Sequence, residues 1–166
     1  QIVTDVTTDL NGDHHISCLT QNDVLFGMTS YSVAGTQDSF IVQMTSTGSI
    51  AGITGYGIPS QVVSVQHLDV DSTGALYLGG TFEGTLAQSG WSITANKGGT
   101  DVFFIKKGSG ISNSNWAVIG GTSDNDVLEG MEMTSKDELI FTGYLQGTFT
   151  AGNKAVTPDA NYDGVV

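Results

Sequence analysis

Gly74-Ala-Leu-Tyr-Leu-Gly-Gly80, Thr100-Asp-Val-Phe-Phe-Ile-Lys-Lys107 and Asn115-Trp-Ala-Val-Ile-Gly-Gly121 are short apolar runs set apart by Gly, Ser, Thr and Asn. Runs this short, bounded by turn formers, read as strands. No window carries a 3.6-residue apolar period, so almost no helix is expected. The pattern also returns along the chain. Asp38, Asp101 and Asp163 each open an apolar run, 63 and then 62 residues apart. A second anchor, a turn followed by a strand, recurs as Asp23-Val-Leu-Phe26, Gly74-Ala-Leu-Tyr77 and Asp137-Glu-Leu-Ile140. On that anchor the first unit is shorter, as though Tyr31 to Gly35 lacked most of the excursion between Glu83 and Gly98. Gly55-Tyr-Gly57 against Gly120-Gly121 is a third anchor in the same order.

A period near sixty residues implies a supersecondary unit that stacks on its neighbours. Phe40-Ile-Val42 and Val102-Phe-Phe-Ile105 are continuous apolar runs rather than alternations, which calls for sheets covered on both faces. Four-stranded antiparallel blades around an axis meet that demand. The sequence therefore predicts an all-β fold of about three β-propeller blades, part of a larger or oligomer-completed propeller. The approximate units are 1–57, 58–121 and an incomplete 122–166. An open arc of three blades would expose sheet faces and edges.

Val70-Asp-Ser-Thr-Gly-Ala-Leu-Tyr-Leu-Gly-Gly-Thr-Phe82, Gly98-Gly-Thr-Asp-Val-Phe-Phe-Ile-Lys-Lys107 and Asn115-Trp-Ala-Val-Ile-Gly-Gly-Thr-Ser-Asp-Asn-Asp126 together resemble the bacterial β-propeller repeats called SBBP repeats. The likeness covers about residues 16 to 166 and is weakest in the first unit. It implies a secreted or surface-attached bacterial protein, commonly multidomain, with no catalytic residues to carry over.

Composition narrows the partners. The 166 residues hold 17 acidic side chains against five lysines and no arginine, a net charge of −12. That field repels phosphate backbones and argues against nucleic-acid binding. Without arginine there is no bidentate clamp for phosphate or carboxylate. Charged residues are 13% of the chain, and its polarity comes from Gly, Ser, Thr and Asn, which suits an extracellular or cell-surface protein. Cys18 is alone, so no internal disulfide forms, and it reads as a small buried hydrophobe. No apolar run reaches the roughly 18 residues of a transmembrane helix. A start at Gln1 fits a mature form whose leader has been removed.

Metal is the first chemistry to weigh. Asp9-Leu-Asn11-Gly-Asp13 and Asp159-Ala-Asn161-Tyr-Asp163 place oxygens at alternate positions, as a calcium loop does. In the first loop, position six is His14 instead of Gly and position twelve is Thr20 instead of Glu, so an Asx-rich turn explains the spacing as well. Asp9, Asn11 and Asp13 stand as candidate calcium ligands. His14 and His15 are adjacent and point to opposite faces of a strand. Asp69 and Asp71 precede a tight turn, and turn chemistry explains them. No Gly-x-Ser-x-Gly elbow, Ser/His/Asp triad or phosphate loop is present, Gly108-Ser-Gly110 being a loop without the Lys-Ser/Thr that a P-loop needs. Trp91 and Trp116 could stack on sugars or pack inside, and Trp91 is the candidate ligand-binding residue. The leading expectation is a non-enzymatic structural or interaction module, working through a protein partner or self-association. A glycan-binding module, with or without calcium, is the alternative, and a hydrolase built on the axis is the third reading.

Overall fold

The computed structural model describes residues 1–88, 91–95, 99–108, 114–145, 149–151, 154–156 and 163–165, and no helix occurs among them. The first unit runs β1 (Ile2–Thr8), β2 (His14–Thr20), β3 (Val24–Phe26), β4 (Thr29–Tyr31), β5 (Asp38–Met44) and β6 (Ile50–Tyr56). The second runs β7 (Val63–Val70), β8 (Leu76–Phe82), β9 (Thr85–Gln88), β10 (Trp91–Thr94), β11 (Asp101–Lys107) and β12 (Ser114–Gly121). The third runs β13 (Val127–Met133), β14 (Leu139–Leu145), β15 (Phe149–Ala151), β16 (Lys154–Val156) and β17 (Asp163–Val165).

The protein is all-β, built of antiparallel propeller-type blades. The first blade has the order β1-β2-β5-β6, and β7-β8-β11-β12 repeats it. The third has β13-β14-β17 among the described residues. In each unit a small hairpin (β3–β4, β9–β10, β15–β16) sits between the second and third strands. The last of these hairpins pairs with the outer strand of the preceding blade, Gly120 with Ala151 and Gly121 with Thr150, extending that sheet to six strands.

Register shows the repeat more finely than residue identity does. The pairing of the first two strands slips at the same place in each unit: between Val3 and Asp5, Val65 and His67, Leu128 and Gly130. The turn that follows is also the same. Gly12, Gly74 and Asp137 adopt φ of 80°, 81° and 60° and donate their N–H to the carbonyls of Asp9, Asp71 and Thr134. Glycine enters this left-handed region readily and aspartate tolerates it.

This alignment corrects the second sequence anchor. The partner of Gly74 in the first unit is Gly12, not Asp23, and Val24–Phe26 belongs to the β3–β4 hairpin. The first unit's counterpart of the excursion between Glu83 and Gly98 is that hairpin, and the turns are 62 and then 63 residues apart. The residues equivalent to Gly79-Gly80 are Ser17-Cys18, whereas Gly27 turns the hairpin at φ 58°.

The continuous apolar runs are buried on both faces, as two-sided packing requires. Phe103 and Ile105 join Ile41, Tyr56, Val65 and Leu68 between the first two blades. Val102 and Phe104 join Leu128, Met131 and Phe141 between the second and third, with the Phe104 and Phe141 rings 4.7 Å apart. Polar bonds knit the innermost strands. Thr4 donates to the Val65 carbonyl (2.8 Å), and Leu68 N–H donates to the Asp5 carboxylate (2.7 Å). One blade on, Met133 N–H donates to Asp69, so Asp69 ties blades together while Asp71 holds the turn.

Asp38 and Asp101 of the first anchor are buried at the start of the third strand of their blades. Asp38 accepts the Tyr31 hydroxyl (2.6 Å) and the N–H groups of Ala34 (2.7 Å) and Gly35 (2.9 Å), which fastens the hairpin. Gly57 and Gly121 lie against the Asp38 and Asp101 carboxylates, where any Cβ would collide. Asp163 opens β17, the third strand of its blade.

Candidate functional site

The first candidate, the 9–13 segment, forms the turn that all three units share. Asp9 Oδ1 accepts the N–H of Asn11 (2.8 Å) and Asp13 (3.1 Å), and Oδ2 lies 3.3 Å from His15 Nε2. Burial opposes the Asp9 charge, but the two N–H donors and His15 outweigh it and hold its pKa below the usual value. Asp13 faces elsewhere, accepting Ser46 N–H (3.0 Å) and Gln43 Nε2 (3.4 Å). Asn11 is exposed. Asp71 binds Thr73 and Ala75 N–H in the same way, and Thr134 Oγ1 binds Lys136 and Glu138 N–H. Among the described residues no group of three or more His, Cys, Asp or Glu is placed to hold a metal. Asp159 and Asn161 lie outside the described residues, as does Ser109-Gly110 of the candidate loop.

Trp91, the candidate ligand residue, is half-buried on β10 and packs against the cluster between the first two blades. Its buried indole N–H has no hydrogen-bond partner among the described residues. Cys18 is buried as a free thiol whose pKa burial raises, the behaviour of a small hydrophobe. His14 and His15 lie on opposite faces, and only His15 is buried.

Two adjacent lysines end β11 and point to opposite faces of the second blade. The Lys106 ammonium bonds Asp71 at 2.8 Å and sits 4.9 Å from the centre of the Tyr77 ring. Burial works against the Asp71 charge, yet Lys106, Thr73 and the turn N–H groups hold its carboxyl well below the usual range. The Lys107 ammonium is buried, has only a 3.4 Å contact with Thr54 Oγ1, and lies 5.9 Å from the Tyr56 ring centre. Burial pulls its pKa down to about 8.

The site that sequence reasoning missed is the outer face of the first blade. Val65 and Leu128, at equivalent register positions, are 0% and 3% exposed because a preceding blade covers them, whereas Val3 is 63% exposed. Val6 is 58% exposed where Leu68 is 6%. Beneath them a groove of about 350 Å³ is lined by Ile2, Val3, Ile16, Phe26, Phe40 and Val42. The β3–β4 hairpin flanks it and leaves Leu25 and Met28 exposed. Hairpin β9–β10 instead reaches the preceding blade, with Gln88 Nε2 donating to the Gly55 carbonyl at 2.8 Å. Val3 and Val65 are the same residue in the same register, so no signal in the sequence separates the open position from the covered one.

A scan against protein-family models found no match to this chain, and a search of the curated proteins found none. No helix among the described residues is long and apolar enough to cross a membrane. The chemistry on hand is apolar burial at a sheet face.

Proposed function

We propose that the chain is a non-enzymatic structural and interaction module of a secreted or surface-attached bacterial protein, and that its first-blade face seats a protein surface. The observation that carries this reading is the exposure of Val3 and Val6 at positions buried by a neighbouring blade in the next unit. A contiguous apolar face of this kind marks an interaction site. The likeness of residues 70–126 to bacterial surface repeats supports the location, as does a surface whose polarity is largely uncharged.

Sedimentation of the wild type and of a Val3→Asp/Val6→Asp double variant tests the reading. Both side chains point outward, so the variant keeps its fold and loses association, while the Cys18 thiol beneath the face reacts faster. A double variant that assembles like wild type removes the interaction face. A glycan array read with and without chelator tests the alternative. Saturable sugar binding that is lost on changing Trp91 or the 9–13 turn would replace the scaffold reading. With the turn oxygens already bonded to N–H groups, millimolar calcium is expected to leave the melting temperature unchanged.

A further inference from the structure

We infer that the occupant of the first-blade face is the third-blade face of a second copy of this chain. The two copies dock head to tail and close a six-bladed ring. This deepens the interaction reading and rests on it.

The chain shows what covers such a face, because it builds the contact twice. Ile41 and Tyr56 of the first blade pack on Val65, Leu68 and Phe103 of the second. Val102 and Phe104 of the second pack on Leu128, Met131 and Phe141 of the third. Each blade thus has a face turned toward the unit before it and one turned toward the unit after it. The first blade leaves its backward face open, at Val3 and Val6.

Among the described residues, the third blade leaves its forward face open. Ile140 is 45% exposed, whereas Tyr77, at the same position after the shared turn, is 6% exposed, and Gly79 on the same face of β8 lies against Leu128 and Met131 of the blade that follows. Tyr144 lies further along the same face, also exposed, and a groove of about 260 Å³ runs past Glu132, Ile140 and Thr142. Glu132, exposed on the innermost strand, stands where Asp69 stands one unit earlier. Asp69 accepts an N–H from the next innermost strand, so in the ring Glu132 faces β1 of the partner copy. The described residues therefore carry both halves of one interface, one on the first blade and one on the third.

Stoichiometry follows from closure. A contact between unlike faces makes a ring when the rotation closes and a filament when it does not. Propellers close with about four to eight blades. Two copies of three blades give six, whereas three copies would give nine.

The test uses the whole chain with Val3→Asp at one end or Ile140→Asp at the other, each at an exposed position, with circular dichroism to verify the fold. Wild type is expected to sediment at twice the 17.3 kDa chain mass. Each variant alone is expected to sediment as a single chain at concentrations where wild type is paired. An equimolar mixture of the two is expected to regain a two-chain species, because one intact backward face then meets one intact forward face. If Ile140→Asp pairs as well as wild type while Val3→Asp does not, the first-blade faces pair with each other. The head-to-tail proposal is then lost and the interaction reading stands. If neither change alters assembly, both are lost. A wild type that stays single, or that assembles in threes, overturns the two-copy ring alone.

Discussion

Asp38 does the work of several contacts with one side chain. Fully buried, it gathers a tyrosine hydroxyl and two loop N–H groups, and Gly57 leaves it the room. Removing it strands three donors, and an unpartnered buried polar group costs about 1–3 kcal/mol. Asp38→Ala is therefore expected to lower stability by about 2–4 kcal/mol, read by urea unfolding. Lys107 gives a pH signature. Between about pH 8 and 10.5 the unfolded chain holds a proton that the folded chain has released, so stability rises with pH, by at most about 1.4 kcal/mol per unit. Tyr31 and Tyr56 act the other way. Burial raises both, joined at Tyr31 by the Asp38 carboxylate, and the folded chain keeps their protons above pH 10, where the unfolded chain loses them. Stability should climb from about pH 8, flatten near pH 9 where the unfolded chain loses a Cys18 proton that the folded chain keeps, and fall above pH 10, and Lys107→Met should abolish the climb and keep the fall. Melting curves across that range check both limbs.

Among the elements, the crossing of first and second strands brings backbone closest to a glycine in the second and third units, whereas the first unit carries Cys18 there. A Cβ at Gly80 would strike the Ser64 carbonyl, and one at Gly143 the Val127 carbonyl, the equivalent atom. Neither carbonyl is a flexible side chain that can step aside. Gly80→Ala is expected to destabilise by about 2–3 kcal/mol, as overpacking does. Gly27→Ala, at positive φ in open space, should cost about 1 kcal/mol. Paired urea curves separate strain of space from strain of backbone. The strands themselves were legible in the sequence, since Phe40-Ile-Val42 and Val102-Phe-Phe-Ile105 follow aspartates 63 residues apart and lie at the same place in their blades. The first unit's alignment is hidden in the sequence for a physical reason. Asp9-Leu-Asn-Gly-Asp13 looks like a metal loop, and Asp23-Val-Leu-Phe26 imitates a turn before a strand. The pairing slip at Thr4, Gln66 and Glu129, which fixes the alignment, falls on three unlike residues and is visible only in hydrogen bonds. The open first face was illegible because exposure depends on a neighbour and not on residue type.

At the scale of the molecule, charge opposes the assembly that the apolar faces favour. Each copy carries −12, so pairing brings like fields together. Raising ionic strength from about 0.01 M to 0.15 M shortens the screening length from about 30 Å to 8 Å. Association is therefore expected to tighten with salt, the reverse of a contact held by opposite charges, and sedimentation at several salt concentrations reads the trend. The β15–β16 hairpin carries one further consequence. It seats on β12, a strand made earlier in the chain, just as β9–β10 touches β6. Both of these clasps reach toward the amino end, so during synthesis each meets a seat that has already left the ribosome. Maturation can then proceed vectorially, one module locking onto the last, and shortening the chain from its carboxyl end removes clasps while sparing the seats behind them.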